Sequence, residues 1–322
     1  MKIKIFFSLI ILLLLTGDSK PCNICGGGTG DIVVLALDGR ALINLGLSYD
    51  SYLGVWDYKG VWRETPYKKD QARFSLGFAY RLNKHLQFGL SLPYIYNNHD
   101  VPGLPTSGTG LGDISLSGRY EFFHEYQLVR RNNKTVVDSK LPYLALTFGI
   151  TLPTGKSDED AKNEVDVTGK GYFMSSLGIS VTKSIIKNHL QISSDFSWQH
   201  GFKKTYEKYF GEELSGPFTK SPGDKFNYSV SLNYIFNNWH AVTLTASGFS
   251  QTSYYVNDRI GDDSNERNLS FIAAYTFYPS VPFRITPSIK WTIPNNNMGK
   301  NATGSTTFLV NFTYYFEDYN IK

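Results

Sequence analysis

The chain has 322 residues and a formal net charge of +4; 15% of its residues are aromatic, including 22 Tyr and 22 Phe, against 3 Met and 2 Cys. It carries no long basic run and no recognisable nucleic-acid module, which excludes a nucleic-acid groove from the reading. Mean hydropathy is −0.25, so the chain is mildly polar overall, and any extended apolar surface must come from residues segregated onto one face of each element.

Lys2 and Lys4 precede the apolar run Ile5–Leu15, and the small residues Gly17 and Ser19 follow. This is the pattern of a secretion signal over residues 1–19, cut after Ser19 and too short to remain as a spanning helix. Beyond it, no apolar run approaches the ~18 residues such a helix needs.

Residues 20–41, KPCNICGGGTGDIVVLALDGRA, form the next unit. Cys22 and Cys25 are the chain's two cysteines, and in an oxidising compartment they are read first as a disulfide with each other. Metal capture, redox chemistry and unpaired thiols stay open as alternatives, so the metal assignment is unknown. Zinc needs further N or S ligands, and no His lies in the segment. Haem attachment needs a His where Gly26 stands. No cofactor is expected. Ile32–Leu37 is too apolar for a free tail, so the segment is expected to enter the barrel as a plug or to join its periplasmic rim.

From residue 42 the chain alternates apolar and polar residues with a period of two, which makes ribbons apolar on one face. Twelve such strands are expected: Leu42–Val55, Ala72–Leu82, Leu86–Tyr96, Leu111–Phe122, Leu141–Leu152, Tyr172–Thr182, Leu190–Trp198, Phe226–Phe236, His240–Gly248, Leu269–Phe277, Phe283–Ile293 and Thr306–Phe316. An even number of amphipathic strands behind a secretion signal, with no helix between them, predicts an all-β fold. The expected architecture is an outer-membrane antiparallel β-barrel over residues 42–322, in a Gram-negative type of bacterium.

The connections alternate in length. Short turns (Asn83–His85, Asn237–Trp239, Tyr278–Pro282) trade places with long polar links (97–110, 153–171, 202–224, 254–267, 294–305). Short periplasmic turns and long external loops are the habit of such barrels, and both termini then fall on the periplasmic side. The link 123–140 is too long for its place and reads as a periplasmic hairpin, a loose excursion or a miscounted strand pair. The last strand, TTFLVNFTYYF, ends on an aromatic at Phe316, the signal expected for barrel-assembly machinery. Outer-membrane lipid is the other expected partner.

GTGLGDISLSGRY (Gly108–Tyr120), LALTFGITLPTG (Leu144–Gly155) and Leu92-Pro93-Tyr94 resemble motifs of the phenol-degradation meta-pathway family of outer-membrane transporters. The resemblance implies a barrel and passage of small hydrophobic or aromatic solutes.

Strand parity places Asp50, Arg73, Arg81, Asp113, Arg119, Glu121, Asp195, Arg284 and Lys290 in the lumen. A charge on the lipid face at mid-depth would cost ~2–4 kcal/mol. Arg81, Arg119 and Arg284 lie near periplasmic strand ends, where either a basic ring setting ion preference or a packed charge network is expected. Asp113 is read chiefly as an anchor at a strand lip, with a polar group at the pore mouth as the alternative. Many inward positions are small (Gly46, Gly77, Gly89, Gly149, Gly178, Ser180, Ser193, Ser229, Ser231) and leave room for water or a plug. Tyr254 and Tyr255 are the expected loop contacts for solute.

The six histidines show no Ser–His spacing on which to rest nucleophilic catalysis, so an enzyme is not expected. The reading is a channel for passive uptake. A binding or structural barrel, metal- or redox-linked through Cys22 and Cys25, is the alternative.

Overall fold

On the second strand Phe74, Phe78 and Tyr80 project outward with 36–45% exposure, whereas Ala79 and Arg81 turn inward at 4% and 1%. The third strand repeats the alternation, with Phe88 and Tyr94 each 45% exposed while Gln87 and Ser91 are buried. The computed structural model describes residues 35, 39–103, 105–122, 128–131, 134–137, 142–186, 189–210, 212–237, 239–280 and 282–317. Residues 1–19, where a secretion signal is expected, and Cys22 and Cys25 lie outside the described residues.

Twelve long strands form the wall: β1 Gly39–Trp56, β2 Trp62–Arg81, β3 Leu86–His99, β4 Ile114–Phe122, β5 Tyr143–Leu152, β6 Met174–Ile186, β7 Leu190–Gly201, β8 Lys225–Asn237, β9 His240–Gln251, β10 Glu266–Ser280, β11 Phe283–Thr292 and β12 Thr303–Glu317. Each pairs antiparallel with its sequence neighbour, and β1 pairs with β12 from Gly39↔Glu317 to Val55↔Thr303, which closes the barrel. Closure leaves no unpaired edge, the condition for β-structure in lipid. Exposed apolar residues such as Phe148, Ile150, Leu177, Val230, Leu232 and Phe308 form the outer band, and lipid covers it. The protein is an outer-membrane β-barrel.

The expected strands are all present, with differences at their ends. β1 begins at Gly39 rather than Leu42. The expected strand 111–122 breaks at Gly112-Asp113. A separate short strand, Ser107–Leu111, takes in the end of the expected link and folds back along β3 from Tyr94↔Leu111 to Asn98↔Ser107. Gly112 N donates to Pro93 O at 2.8 Å, so the chain turns against β3 before continuing as β4. The long periplasmic link contains the hairpin Leu128–Arg131/Lys134–Val137, paired outside the barrel sheet.

The external loops carry structure that alternation does not reveal. Lys204–Tyr209, Glu212–Ser221, Tyr255–Val256 and Arg259–Ile260 make a four-stranded sheet beyond the barrel. In its first hairpin Tyr206 stacks on Phe218, centroids 5.1 Å apart.

Two periplasmic turns share a clamp. His85 O accepts Glu121 N at 2.7 Å, while the His85 ring Nδ1 lies 2.9 Å from Glu121 O. His189 and Ile235 repeat the pair at 2.7 and 3.0 Å. A carbonyl only accepts, so Nδ1 carries the proton in both rings.

Candidate functional site: the lumen and its two ends

At the periplasmic end, inward side chains pack into a floor. Glu121 accepts from Arg81 Nη1 at 2.6 Å, from Gln87 Nε2 at 2.7 Å and from Arg119 Nε at 3.3 Å. All four residues are buried. A buried carboxylate demands such company, because an unpaired charge there is costly. Arg119 also lies 5.6 Å from the Tyr143 ring centre, and Arg284 5.2 Å from that of Tyr315. The three arginines sit in a packed network with Glu121 and aromatic rings, not in an open basic ring. Leu35 comes into this floor from the N-terminal segment. Its N–H donates to Gln87 Oε1 at 2.8 Å, and its side chain packs with Leu42, Ala79 and Tyr315.

Above the floor, one arc of the wall is lined by hydroxyls and amides. Ser231 meets Thr245 at 2.8 Å, and Thr243 donates to Asn233 at 2.9 Å. Asp195 faces the same arc and accepts from Ser229 at 3.3 Å. On the other arc Asp50 accepts from Thr307, and Lys290 lies in register with Thr307 and Ile272. Arg73 Nη2 donates to Gln71 at 3.1 Å, and Gln71 donates to Asn97 at 2.8 Å.

At the external end the loop 153–173 folds inward. Asn97 Nδ2 donates to Val165 O and Val167 O, both at 2.9 Å, and Lys69 pairs with Glu164 at 2.9 Å. Asp113 holds the loop's two stems. Its Oδ1 accepts Gly155 N at 3.0 Å and its Oδ2 accepts Lys170 N at 2.7 Å. Thr168 Oγ1 donates to Leu111 O at 2.7 Å, tying the loop to the short strand as well. The stems touch at two glycines, where a Cβ on Gly155 would stand 2.7 Å from Gly169 Cα. Asp113 is therefore a loop anchor at the strand lip.

The hairpin above pins the loop from outside. Lys204 Nζ pairs with Glu159 at 2.8 Å and Phe210 N donates to Asp158 O at 2.7 Å. The Lys204 hydrogen bond holds the Glu159 carboxyl below its ordinary range, against burial, which pushes the other way.

Where the loop meets the wall of β6 to β9, a small, open cleft is lined by Lys170, Tyr172, Met174, Gln199, Lys225 and Gln251. Burial pushes the Tyr172 phenol up to about 12, so it stays a neutral hydrogen-bonding group. Sequence reasoning did not single out these residues. Lys225 and Gln199 do lie on the inward parity of their strands, a signal that was available. Tyr254 and Tyr255 belong to the external sheet region and are not among the residues lining this cleft. Among the described residues, no group of three or more His, Cys, Asp or Glu is placed to hold a metal ion.

The family described as "Putative MetA-pathway of phenol degradation" matches residues 82–308, well over half of the chain. The chain belongs to this family. The matched span runs from the end of β2 into β12 and includes the GLGD and PTG segments that Asp113 joins. No curated protein matches. Among solved structures, the COG4313 outer membrane channel from Pseudomonas putida F1 is similar in fold, with a TM-score of 0.70 at 11% identity, covering 90% of this chain and 100% of that one. The CymD monoaromatic hydrocarbon channel matches at a TM-score of 0.40 and 10% identity over 87% of this chain and 90% of that one, too distant to carry an argument.

Proposed function

We propose that this family member is an outer-membrane channel for passive entry of small aromatic compounds that can also form hydrogen bonds, phenols among them, and that it performs no catalysis. The observation that carries this reading is a closed barrel whose interior above the floor is lined with hydroxyls, amides and a few spaced charges. Side chains of this kind solvate a polar substituent in transit without holding it tightly. The phenol-degradation family supports the aromatic body of the solute. Barrel-assembly machinery is the partner that Phe316, next to the last residue of β12, suits.

In the same reading, the N-terminal segment entering the floor at Leu35 acts as a plug over a packed periplasmic end. Single-channel conductance of the refolded protein, intact and lacking residues 20–38, tests both parts. The cut stops before Gly39, so β1 keeps its pairing. A larger conductance in the truncated form supports channel and plug together. Silence from both forms overturns the channel reading.

A further inference from the structure

Between β3 and β4 the strand ladder is interrupted. It runs from Leu86↔Tyr120 to Ser91↔Ser115 and resumes at Tyr94↔Leu111, on the short strand Ser107–Leu111. Pro93 stands in the gap, and its carbonyl, which accepts Gly112 N, points across it. In an antiparallel strand both polar groups of a residue point to the same side, so the N–H that proline lacks is one that would have crossed here. Among the described residues the short strand pairs with β3 alone. Its other edge meets loop 153–173 instead of a strand: a Cβ on Gly108 would collide with Val165 O, and one on Gly110 would touch Thr168.

Side chains stitch this panel of the wall shut. Thr154 Oγ1 donates to Gly112 O at 2.9 Å and accepts Ile114 N at 3.0 Å. Thr168 Oγ1 donates to Leu111 O at 2.7 Å, and Asp113 accepts from Gly155 N and Lys170 N. These bonds satisfy the backbone groups, as lipid requires. Every one of them runs between the loop and the wall, so a movement of the loop breaks them together and leaves the neighbouring ladders intact. Apolar groups line the seam on both sides. Leu111 and Tyr94 are exposed on the face that lipid covers. Behind them, a Cβ on Gly112 would stand 2.9 Å from Pro93 Cγ and 3.0 Å from Ile95 Cδ1. The floor, by contrast, closes the way down with the network around Glu121.

We propose that loop 153–173 is a side door, and that its movement opens the wall between β3 and β4 and releases solutes of apolar body from the lumen into the outer leaflet. The inference rests on the channel reading and gives the solute its exit. A disulfide tests it, because a Cβ on Gly110 would stand 3.8 Å from Thr168 Cβ, a span that a disulfide bridges without strain. Gly110→Cys with Thr168→Cys, in a chain also carrying Cys22→Ser and Cys25→Ser, locks the loop to the short strand. The probe is N-phenyl-1-naphthylamine, which an intact outer leaflet excludes and which fluoresces on reaching lipid.

In cells making the oxidised variant, probe entry falls to the rate of cells without the protein, and reduction restores it. The parent chain shows the same rate with and without reductant. Thr154→Val, which removes one stitch and adds no lock, speeds entry, and heat-modified gel migration verifies that each barrel has folded. Equal entry in the oxidised and reduced forms, above that of cells without the protein, overturns the door and leaves the channel. Ion conductance in a protein that never admits the probe does the same. Absence of both conductance and probe entry overturns the channel reading and the door with it.

Discussion

Asp113 Oδ1 accepts the backbone N–H of Gly155 at 3.0 Å, joining residues 42 positions apart at the two lips of adjacent strands. Its other oxygen accepts Lys170 N from the far stem of the same loop. One carboxylate thus sets both ends of the inward loop. Asp113→Ala removes two charge-assisted bonds, a loss of roughly 2–3 kcal/mol at this partly exposed position. The barrel itself keeps its pairing. Limited proteolysis checks this: the variant is cut faster within 153–173, and unchanged cutting would show that Asp113 does not hold the loop.

Acidification loosens the crown for a different reason. Lys204 lowers the Glu159 carboxyl in the folded protein. A folded value below the unfolded one adds stability above the ordinary carboxylate range and loses it as pH falls through the depressed value. Protease accessibility of the hairpin 204–221 therefore rises at the acid end and not near neutrality, and Lys204→Gln flattens that dependence.

The floor is the most sensitive part of the lumen to substitution. Glu121→Ala removes the carboxylate that Arg81, Arg119 and Gln87 all address. Breaking a buried pair by deleting one partner costs about 3–5 kcal/mol. Urea unfolding of the detergent-refolded barrel measures the loss, and a change under 1 kcal/mol would contradict a packed network.

Neighbouring residues on β8 test which face meets lipid. Val230 is 48% exposed on the outer face, and Ser229 is paired inside with Asp195. Val230→Arg should cost about 2–4 kcal/mol near mid-depth. Ser229→Arg instead leaves stability nearly unchanged and shifts the anion-to-cation preference in a bilayer. The reverse pattern would turn the wall inside out.

The barrel was legible from residue 42 onward because a strand turns successive side chains to opposite faces, and FNYSVSLNYIF (Phe226–Phe236) states that period without interruption. Alternation could not reveal the break at Gly112-Asp113, the external sheet built from two separate loops, or the shared histidine clamp at two turns. Each of these depends on a partner from another strand or another loop.

The sequence by itself determined an outer-membrane barrel and the face on which each strand residue stands. Tertiary structure alone decided which inward residues meet. Arg81 finds Glu121, Asn97 finds the carbonyls of Val165 and Val167, and Lys170 comes to the row of Gln199, Lys225 and Gln251. A two-residue period is a local property of the backbone. Register between strands and the fold of a long loop arise only when the barrel closes and distant groups compete for the same buried partners.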